Sequence, residues 1–156
     1  MIRPAIHADF KQLGQLIENH AAYEGAPLSE PVDLERLRKL VLDEPPRIFL
    51  WVVEQDGAIG GYMSATIDCS TWHAAPFVYL DCLYLEPEMR GQGTGRNLIA
   101  TLAAFAHERG IGWIEWQTPP DNQAGIAFYR CMGANERVKQ RFSLDVRSRM
   151  TALAQL

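Results

Sequence analysis

The segment Arg90-Gly91-Gln92-Gly93-Thr94-Gly95-Arg96 sets three glycines at alternate positions between two arginines. Residues without a Cβ let backbone N–H groups close on an anion, and the arginines add full charge at either end. The chemistry this permits is the capture of phosphate oxygens. An apolar run from Leu80 to Leu85, interrupted by Asp81 and Cys82, precedes it and stops at Pro87. Asn97 to Ala106, of helix-forming composition, follows. A strand, a glycine turn and a helix start in that order bring the partial positive charge of a helix N-terminus to the same point.

The spacing does not match two common phosphate loops. A dinucleotide fingerprint wants G-x-G-x-x-G, and a nucleotide-triphosphatase loop wants Lys-Ser/Thr where this chain has Arg96-Asn97. A tight glycine turn without a ligand stays open at this point. A metal site is not expected: His7, His20, His73 and His107 are scattered, without Cys or carboxylate partners at zinc intervals.

The elements that must position this turn can be read along the chain. Ile2 to Ala5 is a short edge strand. Asp9 is expected to cap a helix with Phe10, Leu13, Leu16, Ile17 and His20 on its apolar stripe. A second helix starts near Pro31, with Leu34, Leu37, Leu40 and Val41 on one face. Between them, Tyr23 to Glu30 is acidic, aromatic and irregular: an interaction loop or a connector. Arg47 to Glu54 reads as a strand, Asp56-Gly57 as a hairpin turn, and Ile59 to Ile67 as the partner strand, with Gly60-Gly61 weakening or bulging its start. Phe77 to Leu85 completes an antiparallel meander. A helix from Thr94 to Glu108 with Gly110 as its cap leads to a strand over Ile111 to Gln117, parallel to the preceding one through a right-handed crossover. Asp121-Asn122 caps a helix from Gln123 to Met132, with Ala124, Ala127, Phe128 and Cys131 on one face. Arg141 to Val146 is expected as a last strand, and Ser148 to Leu156 as a short helix or a frayed end. The class is α+β, with a mixed, mostly antiparallel sheet of about six to seven strands and helices on both faces.

A chain of 156 residues with 47% hydrophobic and 22% charged content suits one soluble domain spanning residues 1–156. The net charge of −4 argues against a nucleic-acid partner and suits a cationic substrate. No charged-then-apolar leader opens the chain and no apolar run approaches ~20 residues, so a cytoplasmic protein without a membrane partner is expected. Cys69, Cys82 and Cys131 form no C-x-x-C pair and read as reduced, mostly buried thiols.

Arg90 to Gly95 resembles the acetyl-CoA pyrophosphate loop, [RQ]-x-x-G-x-[GA], of the GNAT superfamily of N-acetyltransferases. Asn122-Gln123-Ala124-Gly125-Ile126-Ala127-Phe128-Tyr129-Arg130-Cys131-Met132-Gly133-Ala134 is similar to that family's N-x-x-A-x-x-F-Y-x-x-x-G-[FA] stretch. The distance between the two motifs and the element order agree as well. Ser70-Thr71-Trp72 and Tyr79-Leu80-Asp81-Cys82-Leu83-Tyr84-Leu85 look like the S-T-W … Y-L-E-D-L-Y-V pattern of the diamine (spermidine/spermine) and thialysine acetyltransferase group. Tyr23-Glu24 stands where that group has a Tyr-Glu pair. Asp81 here replaces the group's glutamate and Cys82 its aspartate, and the Gly-Trp before its last strand is absent.

The resemblance implies a GNAT-like fold whose fourth and fifth strands are parallel and splayed. It also implies acetyl transfer from acetyl-CoA to a primary amine of a small cationic molecule, by direct attack in a ternary complex, and a homodimer. Backbone N–H groups of Leu83, Tyr84 and Leu85 would bind the pantetheine and polarise the thioester carbonyl. The turn from Arg90 through Gly91, Gln92, Gly93, Thr94 and Gly95 to Arg96 would hold the pyrophosphate, and Asn122 and Phe128 would sit on the CoA arm. Tyr129 is the candidate acid: a phenol with an ordinary pKa of about 10 can protonate a thiolate whose thiol has one near 8.5. The alternative is a core tyrosine beside Phe128. Asp81 is the candidate base, acting through water, and is expected to share a strand face with Tyr79, Leu83 and Leu85; the alternative is a solvent-facing edge carboxylate. Tyr23, Glu24 and Trp72, with Asp81, would form the acceptor pocket, a carboxylate for a second ammonium and aromatic faces for cation–π contact. Glu24 is otherwise a solvated side chain and Trp72 a loop aromatic. Two readings follow: an amine acetyltransferase, whose acceptor could also be a peptide or protein amine or an aminoglycoside, or a GNAT-like module that binds acyl-CoA without turnover.

Overall fold

The computed structural model describes residues 1–146, and the chain forms two compact units, Met1–Gln123 and Ala124–Leu156. In the first unit, five strands make one sheet in chain order: β1 (Ile2–Pro4), β2 (Phe49–Gln55), β3 (Ala58–Ser70), β4 (Ala75–Leu85) and β5 (Ile114–Glu115). Successive strands from β1 to β4 are antiparallel, and β5 joins β4 in parallel. The hairpin between β2 and β3 follows from its turn residues. Asp56 and Gly57 take φ of 52° and 79°, the left-handed pair that a two-residue hairpin demands.

Helices cover both faces of this sheet. On one side, α1 (Phe10–Tyr23) and α2 (Leu34–Leu42) lie over Leu50, Val52, Ile59, Tyr62 and Tyr84, with Leu13 fully buried. On the other, α3 (Thr94–Glu108) sets Leu98, Leu102 and Phe105 against Trp51, Met63, Val78, Leu80 and Leu85. Each helix places apolar residues three and four apart, so a single stripe faces the sheet. Asp33 caps α2 by accepting from the Arg36 N–H at 2.9 Å, which starts that helix at Leu34 rather than near Pro31. Asp9 does not cap α1. It closes a preceding 3-10 turn by accepting from the Ile6 N–H at 2.8 Å, and it pairs with Arg3 at 2.7 Å.

The second unit carries α4 (Gln123–Cys131), ended by Gly133 at φ 82°. Its half-buried residues are Gly125, Ile126, Phe128 and Tyr129, with Met132 just beyond it, while Ala124, Ala127 and Cys131 are exposed. The expected apolar face is thus turned by about a residue, because the bulkier Phe128 and Tyr129 outcompete alanine for burial. The last strand expected over Arg141–Val146 does not form: the backbone there is irregular, with Phe142 86% exposed. Alternating apolar residues make a strand only where a neighbour takes up the backbone hydrogen bonds, and no described residue does so here. The sheet therefore has five strands among the described residues, not six to seven. The expected helix or frayed end over Ser148–Leu156 lies outside them.

The cysteines are less buried than expected. Cys69 and Cys131 are exposed and only Cys82 is half-buried. Cys69 lies on the arm of the β3–β4 hairpin that extends beyond Ala65, the last residue paired with β2, so nothing covers it on that side.

Candidate active site

β4 carries a bulge at Asp81. Ser64 pairs with Cys82 and Ala65 with Leu80, so Asp81 has no partner on β3. An extra residue resets the side-chain alternation. Val78 and Leu80 pack on the α3 side, and after the bulge Leu83 and Leu85 return to that side while Cys82 and Tyr84 face α1. Asp81 therefore does not share a regular face with Tyr79, Leu83 and Leu85. It is the bulged residue, exposed, and needs no buried counter-charge.

Beyond the bulge, β4 loses its other neighbour. Pairing with β5 is confined to Val78↔Ile114 and Tyr79↔Glu115, so from Leu80 onward the β5 side of the β4 backbone has no strand beside it among the described residues. At its far end β4 is pressed close to β3. A Cβ on Gly61 would meet the Leu85 side chain at 2.5 Å and the Tyr84 carbonyl oxygen at 2.8 Å, and one on Gly60 would meet the Met89 sulfur at 2.6 Å. The glycine pair thus permits the approach that brings the segment after β4 into its turn.

That turn leads into α3. Gly91 and Gly93 have φ of 74° and 80°, and nothing lies within 4 Å of where a Cβ would stand. Left-handed backbone with open space over it is a cradle only glycine leaves free. Gly93 is the N-cap residue of α3 without a side-chain cap, so the first N–H groups of the helix, from Thr94, Gly95 and Arg96, have no intrahelical acceptor and face an incoming anion. The residues present fit a pyrophosphate. Arg90 is committed elsewhere: its Nε donates to the Leu85 carbonyl at 2.8 Å, and its guanidinium lies 4.6 Å from the centroid of the Tyr23 ring and 5.6 Å from that of Tyr84.

The C-terminal end of α1 meets this region. The Tyr23 hydroxyl donates to Asn122 Oδ1 at 3.2 Å, and Asn122 Nδ2 donates to Thr118 Oγ1 at 2.9 Å. One turn back, buried His20 stacks on Tyr84 with ring centroids 5.1 Å apart, hydrogen-bonds Tyr62 through Nδ1 at 2.8 Å and faces Glu24 through Nε2 at 3.4 Å. Burial holds the His20 imidazole below its ordinary pKa, against the opposing pull of the Glu24 and Asp81 carboxylates. Burial, with the nearby Asp81 charge, pushes the Cys82 thiol up to about 11. A thiol so raised stays protonated at neutral pH and makes a poor nucleophile. Tyr62 is raised as well, chiefly by burial, so its hydroxyl keeps its proton and serves as a donor.

Of the residues proposed from sequence, Tyr23, Asn122 and Arg90 come together, and Glu24 lies 3.4 Å from His20 Nε2. Trp72 does not join them: it is 92% exposed at the tip of the β3–β4 hairpin. In the second unit, Tyr129 is half-buried on α4 with its ring centroid 5.2 Å from that of Phe128. His20 and Tyr62 lie in no motif. The signal that could have found them is a histidine on an otherwise apolar helix stripe, since a buried imidazole must have partners. Among the described residues no group of three or more His, Cys, Asp or Glu could hold a metal ion, and no helix is long and apolar enough to cross a membrane.

Known proteins share this chain's sequence pattern and fold. A thialysine N-epsilon-acetyltransferase of Bos taurus is 28% identical over 144 residues, 87% of this chain and 84% of that protein. A streptothricin acetyltransferase of Streptomyces lavendulae is 33% identical over 91 residues, covering 58% of this chain and 46% of its own length. The fold is shared with an aminoglycoside acetyltransferase from an uncultured soil metagenomic sample, at a TM-score of 0.76 and 23% identity over 92% of this chain and 95% of that one. A model of the acetyltransferase (GNAT) family matches residues 14–134, which takes in the bulged strand, the glycine cradle and α4, and the chain is a member of that family of enzymes.

Proposed function

We propose that the protein transfers the acetyl group of acetyl-CoA to a primary amine of a small cationic molecule, by direct attack within a ternary complex. The observation that carries this reading is the Glu24 carboxylate, 3.4 Å from His20 Nε2, with a second carboxylate, Asp81, on the bulge where β4 loses its β5 neighbour. Acidic groups next to the edge where a thioester would lie suit a positively charged acceptor. The thialysine and streptothricin acetyltransferase relatives support an amine acceptor.

Acetyl-CoA supplies the activated acyl group. The cradle of Gly91 and Gly93 and the N-terminus of α3 hold its pyrophosphate, Asn122 and Phe128 its arm, and backbone N–H groups of Leu83 to Leu85 orient the thioester and polarise its carbonyl. Asp81, on its bulge and in contact with solvent, takes a proton from the ammonium through water, so that a neutral amine attacks. Tyr129 returns a proton to the departing sulfur; this role rests on its place in the Asn122 to Ala134 motif. Cys82, held protonated, takes no part as an acyl carrier. A homodimer is part of the same reading and is checked by sedimentation.

The test is free-thiol release from acetyl-CoA with a panel of diamines, lysine analogues and aminoglycosides, alongside a peptide. Turnover with cationic small amines is expected. Turnover with the peptide alone would move the acceptor to protein amines, and binding of acetyl-CoA without any release would make the chain a non-catalytic module.

A further inference from the structure

His20 sits where an apolar residue would complete the α1 stripe. It is 9% exposed, and Tyr62 against it is 2% exposed. A leucine and a phenylalanine would fill the same space without desolvating a ring nitrogen or a phenol. The polar pair therefore does something that packing alone does not require.

Its hydrogen bonds have a fixed direction. The Glu24 carboxylate can only accept, so Nε2, 3.4 Å away, carries the imidazole proton. Nδ1 is then the acceptor, and the Tyr62 hydroxyl donates to it at 2.8 Å. Tyr84 stacks on the ring face, with Arg90 over Tyr84 in turn. These contacts tie the end of α1, which bears Tyr23 and Glu24, to β3 through Tyr62 and to β4 through Tyr84.

Resting on the amine-acetyltransferase reading above, we propose that His20 is a positioning residue of the acceptor site, its neutral imidazole holding the Glu24 carboxylate through Nε2 while Tyr62 fixes its tautomer. A held carboxylate meets the second cationic group of an acceptor without first having to be ordered. His20 thereby favours acceptors with two cationic groups over those with one. The groups around the imidazole are Glu24 just past the end of α1, Tyr62 from β3, Asp81 and Tyr84 from β4, and Arg90 from the turn beyond, with Cys82 beside Tyr62. Protonation in acid would place a cation beside Glu24 and compete with the second ammonium. The KM of a diamine then rises as pH falls through the lowered imidazole value, while that of a monoamine lacks this component.

The test compares n-butylamine with putrescine, the diamine of the same carbon chain, at saturating acetyl-CoA. His20→Asn keeps a partner for Tyr62 at the Nδ1 position but cannot reach Glu24. It should raise the putrescine KM about tenfold, with kcat and the butylamine KM nearly unchanged. His20→Gln, which keeps a donor near the Nε2 position, should recover most of the preference. Equal changes for both amines, or none, would overturn the role of His20 while leaving acetyl transfer standing. Absence of thiol release with every amine would sink the acetyltransferase reading itself, and this inference with it. Isotope-edited histidine NMR gives a readout independent of turnover. His20 should show a bare Nδ1 and a protonated Nε2, and should still be mostly neutral at about pH 6.5, the midpoint of an ordinary imidazole. The opposite tautomer would overturn the inference whatever the kinetics.

Discussion

The hydroxyl of Tyr23 donates to the Oδ1 of Asn122 at 3.2 Å, across a sequence separation of 99 residues. The end of α1 is thereby joined to the start of the segment assigned to the CoA arm. Tyr23 also lies beneath Arg90, the first residue of the phosphate turn. The proposed acceptor side and the proposed cofactor side thus share one aromatic ring.

Tyr23→Phe separates these two contacts. It removes the hydrogen bond and keeps the ring under Arg90. A neutral hydrogen bond at a part-exposed site contributes about 0.5–1.5 kcal/mol, so the KM for acetyl-CoA should rise roughly two- to tenfold with kcat largely kept. Steady-state kinetics at saturating amine measures it. An unchanged acetyl-CoA KM would mean that Tyr23 serves the amine side only.

Gly93→Ala tests the cradle. No atom lies within 4 Å of the new Cβ, so the cost comes from its φ of 80°, about 1–2 kcal/mol for an L-residue forced into the left-handed region. Calorimetry should show a modest drop in Tm and a loss of acetyl-CoA affinity larger than that drop explains, because the methyl group stands over the open anion cradle. Retained affinity would move the pyrophosphate elsewhere.

The two proton-transfer assignments separate by pH and by step. Tyr129→Phe should lower kcat by about a hundred- to ten-thousandfold while leaving acetyl-CoA binding nearly intact; parallel losses in both would make the phenol structural. Asp81→Asn should lower kcat/KM for the amine, with the deficit shrinking as pH approaches the amine's own value of about 10, where the free base no longer needs a general base. A deficit independent of pH would remove Asp81 from the proton path.

Cys82 offers a contrast among thiols. Its proton is held to about pH 11 in the folded protein, against about 8.5 in an unfolded chain. The folded state binds more protons between those values, so this group's contribution to stability is complete below about pH 8.5 and is lost as pH rises through about 11. Iodoacetamide at neutral pH should label Cys69 and Cys131, both exposed, well before Cys82, as peptide mass mapping would show. Cys82→Ala should keep acetyl transfer; its abolition would require a covalent acyl-cysteine step that the present reading excludes.

Local sequence determined the tight turns, the bounds of α3 and the order of the elements from β1 to α4. Asp56-Gly57, Gly91, Gly93 and Gly133 are legible because a left-handed backbone admits few residue types. The α3 boundaries follow from composition and from the glycines at either end. What only tertiary structure decided is where side chains go once strands meet. The bulge at Asp81 depends on the register of β4 against Ser64 and Ala65, and one extra residue reverses every side chain beyond it. His20 and Tyr62 are 42 residues apart and become a pair only when α1 lies on the sheet. The strand expected over Arg141–Val146 has the right alternation but no neighbour among the described residues. Backbone conformation is a property of a residue and its immediate neighbours. Register and burial belong to pairs of distant segments, and no single segment contains them.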